Sequence, residues 1–199
     1  MKILVQAFHP NLTKSRINKR WVEELQKHPE ITLRLHYDLH PNWQFDVAEE
    51  QALLLAHERI VFQHPFYWYS CPPLMKKWLD DVLTFGWAYG PGGTQLNGKE
   101  WVSAISTGGP AHSYQAGGYN NFAISELLKP LQQTANLTGM AYLPAFTMQG
   151  VIQASDEALE QAAKDYVAHI TNEQLNPKAR LKKLLGEIEE KGTKLSASA

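Results

Sequence analysis

The chain has 199 residues, a formal net charge of −1 and 44% hydrophobic residues, the profile of one globular domain that buries a core. No basic excess points to nucleic acid and no acidic excess to a solvating tail. A single cysteine, Cys71, excludes an internal disulfide and a cysteine-based zinc site, and favours a reducing compartment. Gln6 interrupts the short apolar start MKILVQAFHPN, no small-residue cleavage site follows it, and no run reaches the roughly 18 apolar residues of a membrane span. The expectation is a soluble cytoplasmic protein.

Strand-like and helix-like segments alternate. KILVQAF (2–8) reads as the first strand. SRINKRWVEELQKH (15–28) follows as an amphipathic helix, with Ile17, Trp21 and Leu25 on one face and Ser15 as its N-cap. ITLRLHYDL (31–39) alternates like a half-buried strand. DVAEEQALLLAHE (46–58) reads as a helix and RIVFQ (59–63) as the third strand. PPLMKKWLDDVL (72–83) opens on prolines, which suit a first helical turn, and buries Leu74, Trp78 and Val82. EWVSAIS (100–106) is the fourth strand. A helix pattern with Ile124, Leu127, Leu128 and Leu131 is interrupted by Pro130. MAYLPAFTM (140–148) reads as a fifth strand and DEALEQAAKDYVAHI (156–170) as a helix. Leu181, Leu184, Leu185 and Ile188 have helical spacing, which predicts a solvent-facing or dimer-packing helix and a frayed tail beyond a domain spanning 1–175.

Five β–α alternations predict an α/β three-layer sandwich of flavodoxin-like fold, with a five-stranded parallel sheet in the order 2-1-3-4-5. Ligands of such sheets sit beyond the carboxyl ends of the strands, where the loops after strands one, three and four become neighbours. The first, HPNLTKSRIN (9–18), ends at a helix N-terminus, a ready anion site to which Ser15 and Asn18 add donors and His9 and Arg16 add donor or positive character. The second, HPFYWYSCPP (64–73), sets aromatic rings where loops are usually polar, which suits a planar ligand, a cover over the core or an interface patch. The third, STGGPAHSY (106–114), allows close backbone approach at Gly108 and Gly109, or is a plain strand–helix turn. Together they fit a flavin better than a metal or a nucleophile. No base adjoins Cys71 in sequence, and no H-x-x-x-H zinc pair falls on a predicted helix, so the reading is against a metal.

AFHPN with Ser15 and Asn18, HPFYWYSCPPLMKKWLDDV, GWAYGPGG and STGG resemble the NAD(P)H:quinone oxidoreductases of flavodoxin-like fold, most of all the bacterial ancillary flavoproteins of glutathione-gated potassium efflux systems. The resemblance covers residues 2 to about 170. It implies FMN, with FAD also open, NAD(P)H as hydride donor and a quinone or similar small acceptor. It also implies a homodimer with two sites at the dimer interface. The flavin phosphate would fall to His9, Ser15, Arg16, Ile17 and Asn18. The isoalloxazine would fall to Pro65, Phe66, Tyr67, Trp68 and Tyr69, and its pyrimidine edge to Ser106, Thr107, Gly108 and Gly109. Trp87 and Tyr89 would line the partner's substrate slot, and Tyr114 would be catalytic and substrate-binding. Asn120 stands where the eukaryotic relatives carry an active-site histidine. The other reading is a regulatory subunit docked on a potassium efflux transporter at the inner face of the membrane.

Overall fold

All five residues of β1 (Ile3–Ala7) are buried, as a strand covered on both faces requires. In the computed structural model, which describes residues 1–197 and side chains as far as Glu189, β1 lies between β2 (Ile31–Leu35) and β3 (Arg59–Pro65), with β4 (Glu100–Ser106) beyond β3. The pairs are parallel and in simple register, with Ile3 opposite both Ile31 and Arg59, and Arg59 opposite Glu100. The expected order 2-1-3-4-5 holds. The expected fifth strand is two short ones, β5 (Ala141–Tyr142) and β6 (Phe146–Met148). Pro144 lies between them, without the N–H a ladder needs. β5 pairs with the start of β4 and β6 with its end.

The helices are α1 (Arg16–Leu25), α2 (His36–Leu39), α3 (Val47–Ala56), α4 (Pro73–Val82), α5 (Ile124–Leu127), α6 (Lys129–Leu137), α7 (Asp156–Thr171) and α8 (Pro177–Ala197). Ile17, Trp21 and Leu25 of α1 pack with Leu159, Tyr166 and Ile170 of α7 over Val5, Val61 and Val102 on one face of the sheet. Leu54 of α3, Leu74, Trp78 and Val82 of α4, and Leu131 of α6 cover Leu4, Ile60 and Phe62 on the other. Trp21, Trp78 and Trp101 are fully buried and carry much of this burial.

Three expected boundaries shift for local reasons. β2 stops at Leu35 because His36 turns inward to stack on Phe8, with ring centroids 4.1 Å apart, and bonds Gln6; residues 36–39 form α2 instead of continuing the strand. The helix expected through residue 131 divides at Leu128, with Pro130 in the first turn of α6. α8 leaves Leu181, Leu184, Leu185 and Ile188 more than half exposed. The frayed tail expected beyond it falls on Ser198 and Ala199, outside the described residues. Among the described residues no helix is long and apolar enough to cross a membrane.

Candidate functional site

The ladders run on past the strands and bring four loops to one edge. Phe8 N–H donates to Gln63 O (2.8 Å), Phe66 N–H to Ser106 O (2.9 Å) and Thr107 N–H to Met148 O (3.0 Å). Between the loops lies a cleft of about 430 Å³. His9, Ser15, Arg16, Ile17 and Asn18 line one side, and Pro65, Phe66, Tyr67, Ser106 and Gly108 the other. Ten of the seventeen candidate residues thus share one cavity.

Ser15 caps α1, its hydroxyl oxygen accepting from Asn18 N at 3.1 Å. The Asn18 amide donates to Ser106 Oγ at 2.9 Å, and Gln63 Nε2 donates to Asn18 O at 3.3 Å. This buried network fastens the positive end of α1 to β3 and β4. The hydroxyl oxygens of Ser15 and Ser106 are acceptors in these bonds, which leaves their protons for a ligand. Arg16 departs from expectation. Its guanidinium donates to Asp156 Oδ1 (2.8 Å) and Ala154 O (3.0 Å), and holds the Asp156 carboxyl below the usual range. Arg16 therefore offers the cleft its backbone N–H more than its charge. His9 Nδ1 accepts from Asn11 N at 3.1 Å and burial lowers the ring's pKa, so His9 is a neutral Nε2–H donor.

The aromatic loop is strained. Trp68 and Tyr69 both have left-handed backbones, φ 49° and 59°, at a cost of about 1–3 kcal/mol each. Phe66 and Tyr67 face the cleft, whereas the Trp68 side chain is 93% exposed and lies outside it. Tyr69 is also outside, donating its hydroxyl to Asn120 Oδ1 at 3.0 Å. Asn120 in turn donates to Ser113 Oγ at 3.0 Å. Where a histidine relay was in question, an amide ties the aromatic loop to the loop after β4. Cys71 sits behind this loop, half-buried, with its thiol pKa raised by burial, which makes it a poor nucleophile.

Thr107 and Gly109 support the third loop from behind the cleft, Thr107 Oγ1 donating to Gly109 O at 2.8 Å. The sequence reading missed a fourth loop, after β6. There Gly150, at φ 73°, donates to Gly109 O (2.8 Å), and Val151 N–H donates to Thr107 O (3.1 Å), setting Val151 and Ile152 against the cleft. The apolar pair between Gly150 and the Ser155 cap was its signal. Tyr114 packs near Phe66, with ring centroids 6.3 Å apart, beside the cleft rather than in it. Trp87 and Tyr89 pack against the α4 side of the core, outside this chain's own cleft.

One premise is corrected. His36 and His40 are an H-x-x-x-H pair joined by a helical turn, α2, and they converge with Glu50. The pattern was hidden because residues 36–39 were read as strand.

Comparison with known proteins agrees with this geometry. YdeQ of Bacillus subtilis, described as an uncharacterized NAD(P)H oxidoreductase, is 54% identical over 189 residues, 95% of this chain and 96% of its own. The glutathione-regulated potassium-efflux system ancillary protein KefF of Salmonella typhi is 42% identical over 164 residues, 82% of this chain and 92% of its own. General stress protein 14 of Treponema denticola, solved in complex with FMN, superposes with a TM-score of 0.81 at 39% identity, over 84% of this chain and 97% of that one. An NADPH-quinone reductase from P. pentosaceus superposes with a TM-score of 0.79 at 33% identity, over 86% and 99%. Residues 1–170 match the family model for a flavodoxin-like fold, and with relatives this similar over most of its length the chain belongs to the flavodoxin-like fold family.

Proposed function

We propose that the protein is an FMN-dependent NAD(P)H:quinone oxidoreductase of the cytoplasm, acting as a homodimer. The observation that carries this reading is the meeting of the α1 N-terminus, the strained aromatic loop and Gly108 in one cleft of about 430 Å³. The residues fit the cofactor. The donors at the α1 N-terminus suit a phosphate. The site is largely apolar around a few aimed polar groups, as cofactor sites are. Gly108 leaves open a position where a Cβ would stand 3.1 Å from Ile152 Cδ1. FMN, when bound, supplies the redox chemistry, accepting a hydride from NAD(P)H and returning two electrons to the acceptor in a ping-pong cycle. FAD would use the same ring chemistry and carries the same ribityl phosphate; the FMN in general stress protein 14 of Treponema denticola, 39% identical, favours FMN.

The chain's own residues bind and shield. Ser15, Asn18, His9 and the first N–H groups of α1 hold the phosphate. Phe66 and Tyr67 wall the ring and exclude water, while backbone groups of Tyr67 and Gly108, which line the cleft, meet its polar edge. Tyr114 sits beside the cleft to bond nicotinamide or quinone, and a partner's Trp87 and Tyr89 close the slot. The 42% identity with KefF supports a second reading, in which the same flavoprotein docks on a potassium efflux transporter at the inner face of the membrane.

The test is direct. Purified protein should show a flavin absorbance spectrum and release a flavin with the mass of FMN. NAD(P)H should bleach that spectrum anaerobically, and a quinone should restore it. Protein that binds no flavin, or whose flavin NAD(P)H leaves oxidised, overturns the enzymatic reading. Co-purification with a transporter's cytosolic domain, at low quinone turnover, would favour the second.

A further inference from the structure

On the far side of β1 from α1, and away from the cleft lining, three metal-ligating side chains meet. α2 sets His36 and His40 one turn apart, so their rings stack with centroids 5.3 Å apart at 23°. Glu50 of α3 comes in from the side, its carboxylate 1% exposed. One ligand atom from each of the three lies within 4.8 Å of the other two. The His40 Nε2 to Glu50 Oε1 distance is 3.3 Å, which is already about the spacing of two donors on one tetrahedral zinc ion with bonds of about 2.0–2.1 Å. Only His36 has to close in.

The tautomer and the second shell are prepared as well. His36 Nε2 meets Gln6 Oε1 at 2.5 Å. An amide oxygen only accepts, so the ring's proton is on Nε2 and Nδ1 carries a lone pair. That Nδ1 is buried and has no hydrogen-bond partner, while His40 Nε2 has only the Glu50 carboxylate, 3.3 Å away. Metal-bound histidines commonly donate their second N–H to such a carbonyl. Trp78 Nε1 donates to Glu50 Oε2 at 2.9 Å, while Oε1 accepts from Arg34 Nη2 at 2.8 Å and lies 3.3 Å from His40 Nε2. Arg34, 2.8 Å from Glu50, also lies 3.0 Å from the half-exposed Glu49. It can keep that partner when a cation takes Glu50. Without an ion, the buried His36 Nδ1 remains unsatisfied, an arrangement that native interiors rarely tolerate.

We propose that His36 Nδ1, His40 Nε2 and Glu50 Oε1 form a three-ligand site for a borderline divalent cation of the Zn²⁺ class. Two imidazoles and one carboxylate select that class. Water takes the fourth position beside His40, whose side chain is 11% exposed. The ion clasps the turn after β2 to α3 directly beneath Phe8, the neighbour of His9 in the chain. This assignment stands whether or not the cleft holds a flavin.

The experiment uses the purified full-length protein, freed of any tag and stripped with a chelator, titrated with Zn²⁺ and separately with Co²⁺. The expected results are one ion per chain, a tetrahedral Co²⁺ absorption band, and a melting temperature that rises with Zn²⁺. In His40→Phe a ring still packs on Phe45 but the ligand is lost. Affinity should fall beyond the roughly 100-fold that losing an outer-shell partner costs. On the unmutated protein, paramagnetic Co²⁺ should shift the imidazole protons of His36 and His40, which keeps the test decisive if the variant folds poorly. Stripped protein that takes up no stoichiometric Zn²⁺, His40→Phe that binds as tightly as the parent, or Co²⁺ that shifts other histidines overturns the proposal.

Discussion

At the scale of single residues, Gly108 is the sharpest probe of the cleft. A Cβ there would stand 3.1 Å from Ile152 Cδ1, but Ile152 is 76% exposed and can move aside. Gly108→Val should therefore fold with little change in melting temperature while its branch enters the ligand's space. Flavin content after purification should fall severalfold, and a variant that keeps a full complement would remove Gly108 from the site. Tyr114→Phe tests the other kind of residue, one that packs beside the cleft and offers a hydroxyl. Losing one transition-state hydrogen bond costs roughly 1–3 kcal/mol, or about 5- to 150-fold in rate. The smaller end is expected, since the Asn120 amide, already bonded to Tyr69 and Ser113, relays no proton. Stopped-flow rates of reduction and reoxidation that both match the parent would make Tyr114 a packing residue. Cleft residues were legible in the sequence where residue type and chain position pointed the same way, as for Ser15, Asn18 and Gly108. Side-chain direction was not legible. Trp68 is as aromatic as Phe66, yet a left-handed backbone turns it out to solvent, and Arg16 is as basic as a phosphate ligand needs, yet Asp156, 140 positions along the chain, takes its guanidinium.

At the scale of elements, the N-terminus of α1 is both a structural joint and the expected phosphate site. Ser15→Ala with Asn18→Ala removes the cap and the link to Ser106. Part of the resulting loss loosens the cleft for any ligand, and part removes charge-assisted bonds worth about 1–3 kcal/mol. FMN affinity should drop more than riboflavin affinity, and equal losses would move the phosphate elsewhere. α8 makes the opposite case. Leu181, Leu184, Leu185 and Ile188, the large apolar residues among its described side chains, lie more than half exposed, so their burial within this chain contributes little. A chain ending at Asn176 should keep its flavin and melt within about 4 °C of the parent, since about 1 kcal/mol moves a domain of this size by 2–4 °C. A larger drop together with a change in oligomeric state would show α8 packing on another chain. Elements with a strong buried stripe, α1 and α4 above all, were read within a few residues of their ends. The errors fell where a tertiary contact outweighs local pattern. His36 leaves the strand because Phe8 and Gln6 receive it, and Pro144 divides a strand whose two halves still find β4.

At the scale of the whole molecule, the alternation of strands and helices was enough to predict sheet order, because a parallel sheet with right-handed crossovers leaves few arrangements. The sequence pattern is silent on which polar groups the two layers enclose, and these set the response to acid. His64 of β3 is fully buried. Its Nδ1–H donates to Pro65 O at 3.0 Å, while Nε2 has no partner. Burial pushes its pKa down from 6.5 to about 4. Between those values the unfolded chain holds a proton on this ring that the folded chain does not, so stability rises with pH across the window. The contribution is complete above pH 6.5, is lost as the pH falls toward 4, and does not change further below that. A shift of this size corresponds to about 3 kcal/mol at about 1.36 kcal/mol per unit. His64→Gln removes the titration, and comparison with the parent cancels the carboxylates and other histidines that titrate nearby. Urea unfolding at a series of pH values should show the parent losing about 3 kcal/mol more than the variant between pH 6.5 and 4. Parallel curves would mean that His64 takes up its proton in the folded state at an ordinary pH, through water or a local opening at the cleft edge of β3.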